Sequence, residues 1–248
     1  MNTTLFETLG SMTPEARMSL IAKRRSIRRY QPEPIDPQHL LVLNEVIDRC
    51  NRLGHLTMTL RLDDPEPFNH WLAHYGNLRG VRHYVALVGQ PSDDLEERIG
   101  YYGELLVLQA TALGLGTCWI AGTYNKSKSR VNLNASETLV GVIAIGIPAH
   151  PGVQRRTKSV AQLSRYPKPM PPWFGEGMKA VQMAPTAMNQ QKFRFETDGT
   201  TVKAHAGIGF YTALDLGIAK LHFEIGSDRS VFGYPLLSFP PHPGMEAI

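Results

Sequence analysis

Apolar positions recur at two spacings along this chain of 248 residues, and the two spacings predict different elements. Unbroken apolar runs at 83–89, 117–122 and 140–146 are typical of strands that are buried on both faces. Residues 37–54 carry apolar positions at helical spacing after an Asp36-Pro37 start, which favours a helix. A second long helix is predicted at 95–113 and ends before Gly114.

The remaining elements are shorter. Helices are predicted at 16–23, 176–183 and 211–223, and an alternating strand at 192–196 turns at Asp198-Gly199 towards a partner at 202–205. Residues 55–80 are ambiguous, with strand-like alternation at 56–60 and a short helix indicated around 68–72. The stretch 148–172 is rich in Pro, Arg and Lys and is typical of a linker. Helices that alternate with apolar strands indicate a mixed class, α+β.

Composition is that of an ordinary soluble globular protein, with 42% apolar and 19% charged residues. No run reaches the ~18 apolar residues of a membrane span, so we expect no membrane partner. Residues 1–20 contain Glu7, Glu15 and Arg17 where a secretory signal has an apolar core, which favours a cytoplasmic location. Cys50 and Cys118 lack the spacing of a zinc site or redox pair and are predicted to be buried thiols rather than a disulfide.

The formal net charge is +4 and the isoelectric point is about 9.1, which raises the question of an anionic partner. Lys and Arg form no long basic stripe, so nucleic acid is not the expected partner. An anionic small ligand explains the charge equally well.

Histidines and aromatic residues give weaker signals. We predict no metal site, because the histidines are scattered without ligand spacing at His70, His74, His205 and His222. Four aromatic residues are interpreted as core residues that could also border a bound ring: Trp71, Tyr101, Tyr102 and Phe210.

Two polar clusters carry the candidate chemistry. The cationic knot, Arg24-Arg25-Ser26-Ile27-Arg28, can hold a phosphate dianion through guanidinium groups and a hydroxyl. The amide loop, residues 184–191, offers side-chain amides that each donate and accept hydrogen bonds. Each cluster also has a simpler interpretation: the knot as an exposed basic helix end, and the loop as a turn that faces water.

These clusters join two further motifs, a Gly-Leu-Gly-Thr-Cys-Trp turn at 114–119 and a Gly-Ile-Pro strand end at 146–148. Together the four motifs resemble the FMN-dependent nitroreductase family over most of the chain. The resemblance implies a nitroreductase-like α+β fold with FMN as the cofactor and NAD(P)H as the co-substrate.

The resemblance also implies which residues contact the flavin. The knot matches the family's phosphate-binding motif in Arg24, Arg25, Ser26 and Arg28. A basic segment after the late strand matches a second part of the phosphate clamp, although a solvated linker explains it nearly as well: Arg155, Arg156 and Lys158. The amide loop matches the ring-side loop in Pro185, Thr186, Ala187, Asn189 and Gln191, with Asn189 and Gln191 assigned to the pyrimidine edge.

The segment 116–123 matches the part of the family that approaches the flavin ring, with strand-end packing as the alternative. Its candidate cofactor-binding residues are Gly116, Thr117, Ala121, Gly122 and Thr123. No side chain is assigned a catalytic role, because the flavin itself carries out the redox chemistry.

The position of the amide loop departs from the family pattern. In ordinary members the loop follows the second helix, but here that place holds Asp48 to Leu53, without Pro or Gln. Family members are homodimers that build the flavin site at their interface. We therefore expect a tandem of two halves, residues 1–165 and an abbreviated 166–248, with one FMN per chain. Such a chain could act as a monomer.

The function implied is hydride transfer from NAD(P)H through FMN to a small-molecule acceptor, a nitroaromatic or a quinone, in two steps. The alternative is a flavin-binding protein without turnover, since a rebuilt site can lose its nicotinamide pocket. A module that binds nucleic acid through the basic linker is the third possibility.

Overall fold

A computed structural model describes residue 9 and residues 12–69 and 76–234 of the chain. Six α-helices and seven strands lie in this part. The helices are α1 Pro14–Lys23, α2 Pro37–Gly54, α3 Leu95–Ala112, α4 Val160–Leu163, α5 Pro172–Val181 and α6 Thr212–Ser227. The strands are β1 Thr59–Arg61, β2 His83–Gly89, β3 Gly116–Ile120, β4 Thr138–Gly146, β5 Ser164–Arg165, β6 Phe193–Thr197 and β7 Val202–Ala206.

The larger sheet has the order β1-β2-β4-β3, and all neighbouring strands are antiparallel. Every residue of β2 is buried, as its unbroken apolar run predicts. In the register, Ile143 lies opposite both Val85 and Trp119, so β4 lies between the two other predicted strands. All three strands predicted from continuous apolar runs are confirmed.

The smaller sheet has the order β5-β6-β7. β6 and β7 form the predicted antiparallel hairpin, and Gly199 adopts a φ of 110° in its turn. The Asp198 carboxylate accepts hydrogen bonds from the N–H groups of Thr200 and Thr201, which fixes the turn. The alternation of apolar and polar residues at 192–196 and the Asp198-Gly199 turn were sufficient to predict this hairpin.

Helices α3 and α6 pack against each other through glycines. This contact joins two segments of the chain, residues 1–165 and residues 166–248. A Cβ placed at Gly217 would collide with the carbonyl oxygen of Glu97, and one at Gly100 would collide with that of Leu214. The backbones therefore lie as close as glycine allows. One apolar cluster extends from Leu43 of α2 to Phe223 of α6, so both segments share a core.

The structure differs from the sequence prediction between residues 148 and 183. The helix predicted at 176–183 begins at Pro172, because Pro is compatible with a first helical turn, and it ends at Val181. The predicted linker also contains α4 and β5. The helix α4 begins with a capping box between Ser159 and Gln162, a local signal that the abundance of Pro and Lys obscures.

Several smaller predictions can be compared with the described residues. Cys50 and Cys118 are free and buried, as predicted. None of the described helices is both long and apolar enough to span a membrane. The short helix predicted around 68–72 overlaps a 3-10 turn at Glu66–Phe68. Asn69 is not helical, and residues 70–72 lie outside the described residues, which also exclude His70, Trp71 and His74.

Candidate functional site

A cavity of about 1030 Å³ lies where the two segments meet. This volume is in the range of pockets that enclose a whole cofactor. Its walls come from stretches far apart in the sequence: the end of α1 with the cationic knot, the end of β3 with the loop after it, the basic segment near 155, the amide loop, and the start of α6.

The cationic knot lines one end of the cavity through Arg24, Arg25, Ser26 and Arg28. Ile27 points the other way and is buried, because the backbone is extended here and successive side chains alternate. The N–H of Ile27 donates to the carbonyl of Thr117 at 2.8 Å, and a Cβ at Gly116 would lie 2.8 Å from the Ile27 side chain. Gly116 and Thr117 therefore hold the knot in place and do not line the cavity.

Three arginines converge on the buried thiol of Cys118. Burial raises the pKa of this thiol, while the positive charges of Arg28, Arg155 and Arg24 oppose the rise. All four residues line the cavity. The structure thus brings Arg155 of the basic segment to the same end of the cavity as the knot.

Three residues of the amide loop adopt left-handed backbone conformations, with φ values of 49° at Met188, 56° at Asn189 and 46° at Gln191. Such values are uncommon outside glycine and require surrounding contacts to hold them. Pro185, Thr186, Ala187 and Asn189 line the cavity.

Gln191 does not line the cavity, contrary to the orientation that the sequence resemblance implied for it. Its side chain is buried, and its Oε1 accepts from the Lys158 N–H at 2.8 Å and from the Thr157 hydroxyl at 3.0 Å. The physical reason is that a buried amide needs partners, which the basic segment supplies.

Further hydrogen bonds join the amide loop to the basic segment. Lys158 Nζ donates to the carbonyls of Gln190 and Gln191 at 3.0 and 2.9 Å, and Asn189 Nδ2 donates to the carbonyl of Arg156 at 2.9 Å. Asn189 keeps a second amide hydrogen for another partner. Arg155 and Arg156 are exposed at the cavity wall, and within the described residues neither forms an ion pair.

Another part of the cavity wall consists of small residues after β3: Ala121, Gly122 and Thr123. A Cβ at Gly122 would meet only the Tyr211 hydroxyl, at 3.8 Å, so this wall is open to a ligand. Met188 and Phe210, which are 80% and 78% exposed, also line the cavity. Exposed apolar side chains at a cavity wall are typical of a ligand-binding surface.

Two other aromatic candidates, Tyr101 and Tyr102, do not line the cavity. Tyr101 and Tyr102 are fully buried in the core. His222 is buried and hydrogen-bonded, and His205 is exposed. The described residues contain no cluster that could hold a metal ion.

Asp215 is a cavity residue that the sequence prediction missed. It is 1% exposed, and its carboxylate accepts from the Ala187 N–H at 2.8 Å and from Gln190 Nε2 at 2.7 Å. Burial raises the pKa of Asp215 to about 6, and the hydrogen bonds from Gln190 and Ala187 partly oppose the rise. Asp215 thus fixes the amide loop to α6. An acidic residue in the first turn of a helix is a common capping signal, and nothing local distinguishes this one.

Asp215→Asn is expected to remove a pH-dependent part of the stability. The pKa of Asp215 in the folded protein lies above the ordinary value of about 4, so folding favours the protonated carboxyl group. The stability that this group contributes is therefore fully present below about pH 4 and is lost as the pH rises through about 6. Across this window the wild type should lose on the order of 2 kcal/mol more than the variant. Urea unfolding of both proteins at about pH 4 and about pH 7 measures the difference; identical pH dependence would contradict the assignment.

The chain matches the protein family described as "Putative TM nitroreductase" over residues 17–227. A "putative nitroreductase" from Thermotoga maritima is 18% identical, and the match covers 91% of this chain and 88% of that one with a TM-score of 0.62. A "putative nitroreductase" from Desulfovibrio desulfuricans in complex with FMN is 23% identical, with 62% of this chain and 98% of that chain covered and a TM-score of 0.50. No curated protein matches the chain.

The two structural matches confirm the predicted nitroreductase-like fold. The family match spans both segments that border the cavity, from α1 to the end of α6. The chain therefore belongs to this nitroreductase family and is an oxidoreductase.

Proposed function

We propose that this protein is an FMN-dependent oxidoreductase that passes a hydride from NAD(P)H, through the flavin, to a nitroaromatic or quinone acceptor. The observation that carries the proposal is the cavity that joins the cationic knot to the amide loop. Family membership and the FMN complex of the Desulfovibrio desulfuricans protein support the same conclusion.

The residues present fit FMN. Arg25, Ser26, Arg28 and Arg155 form a cationic end that suits a phosphate dianion. Arg24 also lines the cavity, with its Nε 3.6 Å from the buried Glu104 carboxylate.

The remaining cavity wall fits a planar ring. Residues 121–123 would hold one side of the ring, with Thr186, Ala187 and Asn189 along another. When bound, the flavin supplies the chemistry, because it can accept a hydride and deliver electrons to a second substrate.

The side chains of this chain position the ligands and adjust the local charge. The guanidinium groups offset negative charge at the cationic end, and the small residues after β3 allow backbone groups to approach the ring. Met188 and Phe210 give planar substrates an apolar surface at the cavity wall. The flavin itself carries out the redox chemistry, so the proposal assigns no catalytic residue.

We also propose that residues 1–165 and 166–248 are tandem halves that together form one flavin site. Each segment contains a helix, two antiparallel strands and a second helix, in that order: α2, β1, β2 and α3, then α5, β6, β7 and α6. The final helices α3 and α6 pack together, and the amide loop follows α5. A monomer would then be sufficient for function. The buried free thiols fit a cytoplasmic location.

Purified protein saturated with FMN is expected to retain the flavin's visible absorbance after desalting, at one FMN per chain. Anaerobic addition of NADH or NADPH should then bleach that absorbance, and a nitroaromatic or quinone should restore it. Loss of all flavin on desalting would contradict the proposal. Retention of flavin without bleaching would leave a flavin-binding protein that lacks turnover, and two FMN per chain would contradict the single site.

A further inference from the structure

A buried carboxylate lies directly behind the cavity. Glu104 of α3 is 0% exposed, and its Oε2 accepts from the indole Nε1 of Trp119 at 2.9 Å. Its Oε1 lies 3.6 Å from Arg24 Nε and 3.0 Å from His222 Nε2. Arg24 and Trp119 line the cavity, whereas Glu104 and His222 do not. One side chain thus contacts a residue from the cationic end and a residue of β3.

The contacts of His222 fix the position of the Glu104 carboxylate. The imidazole Nδ1 lies 3.1 Å from the carbonyl oxygen of Ala180, and its Nε2 lies 3.0 Å from Glu104. His222 is itself 0% exposed, and it connects Glu104 of α3 to both α5 and α6.

The network also fixes the positions of its cavity residues. The Arg24 side chain is 11% exposed, and its remaining contact is a 3.5 Å hydrogen bond to the carbonyl of Met183. The Trp119 indole packs on α3, since a Cβ at Gly103 would lie 2.5 Å from its ring. Four elements, α1, α3, β3 and α6, meet at Glu104.

We infer that Glu104, with His222 behind it, is a positioning residue for the flavin site. It holds Arg24 of the cationic knot and Trp119 of β3 in place, so the recognition of phosphate depends on a carboxylate that never contacts the ligand. The inference rests on the proposed FMN function. At metal sites, replacing a residue that orients a ligating side chain commonly changes affinity by about 10-fold to 100-fold, and we expect an effect at the lower end of this range here.

Binding of FMN and of riboflavin, which lacks the phosphate, tests the inference. Glu104→Gln keeps the shape of the side chain and an acceptor for Trp119. It removes the carboxylate that lies 3.6 Å from Arg24 Nε and orients the guanidinium group. We expect the variant to lose affinity for FMN about 10-fold more than for riboflavin, measured by equilibrium dialysis.

Glu224→Gln is the matched control, because Glu224 is a second buried carboxylate of the α3 and α6 pair that does not line the cavity. Its carboxylate accepts hydrogen bonds from Tyr101 and from the N–H groups of Val231 and Phe232. This variant should lose stability and keep the wild-type preference for FMN over riboflavin. If Glu104→Gln does not fold, His222→Gln carries the test, with a reduced preference again expected.

The outcomes separate the inference from the function on which it rests. If wild-type protein binds no FMN, the function and the inference both fail. If the wild type binds FMN and Glu104→Gln retains the full preference for FMN over riboflavin, only the inference fails. An equal loss of both ligands in Glu104→Gln would also overturn it, because that result indicates general loosening of the fold.

Discussion

The double variant Arg28→Gln and Arg155→Gln is expected to bind FMN at least about 100-fold more weakly than the wild type. Both side chains line the cavity, and the positive charge of each lowers the pKa of the Cys118 thiol. Neither forms an ion pair with an acidic residue within residues 12–69 and 76–234, so each positive charge is available to a ligand. A charge-assisted hydrogen bond contributes about 1.5–3 kcal/mol, and two such bonds account for the expected loss.

Equilibrium dialysis with FMN and riboflavin measures this effect. Riboflavin lacks the phosphate, so its affinity should change by less than about 3-fold. Arg82→Gln provides the matched control, because Arg82 bonds to Asp63 and Pro32 and does not line the cavity. Equal weakening of both ligands, or unchanged FMN binding in the double variant, would exclude a phosphate role for this end of the cavity.

Gly217→Ala is expected to destabilise the protein by on the order of 3 kcal/mol, and to lower its melting temperature by about 5–10 °C. In an exposed helix the same change stabilises by about 1 kcal/mol, because alanine is the better helix former. Here the added Cβ would collide with the carbonyl oxygen of Glu97, and a backbone atom cannot turn aside as a flexible side chain can. The sign of the effect therefore reports how closely α3 and α6 pack.

Gly175→Ala is the control for this substitution. Gly175 also lies within a helix, α5, and a Cβ there would meet only the flexible Met170 side chain, with its sulfur at 3.3 Å. This variant should be as stable as the wild type or slightly more stable. Thermal unfolding followed by circular dichroism compares the three proteins; a neutral Gly217→Ala would show that the two helices can separate at little cost.

The elements of this fold were predictable where their signals are local. Pro37 and Asp36 mark the start of α2, and the Asp198-Gly199 turn marks the hairpin, because caps and turns depend on a few neighbouring residues. The start of α5 at Pro172 and the short α4 were missed. At α5 the Pro residues suggest a linker, but Pro172 is also compatible with a first helical turn. At α4 the capping box of Ser159 and Gln162 lies within a stretch whose composition resembles a linker.

The candidate site was predictable in its parts and less so in its orientation. The residue types of the knot and of the amide loop already suit a phosphate and a ring. The direction of Gln191 depends on left-handed backbone angles and on partners in the basic segment, which no local pattern encodes. Asp215 and Glu104 were missed for the same reason, since their roles come from contacts made by distant stretches of the chain.

The cavity draws its cationic wall from residues 24–28 and its loop wall from residues 185–189 of the same chain. In a symmetric homodimer every substitution is copied into both subunits, and each site inherits the change. In the proposed chain with a single site, a mutation at Asn189 changes one cavity and is not copied into a second one. The two proposed halves are then free to diverge, so one half can keep the arginines that suit a phosphate while the other half adapts its loop to unsymmetrical substrates.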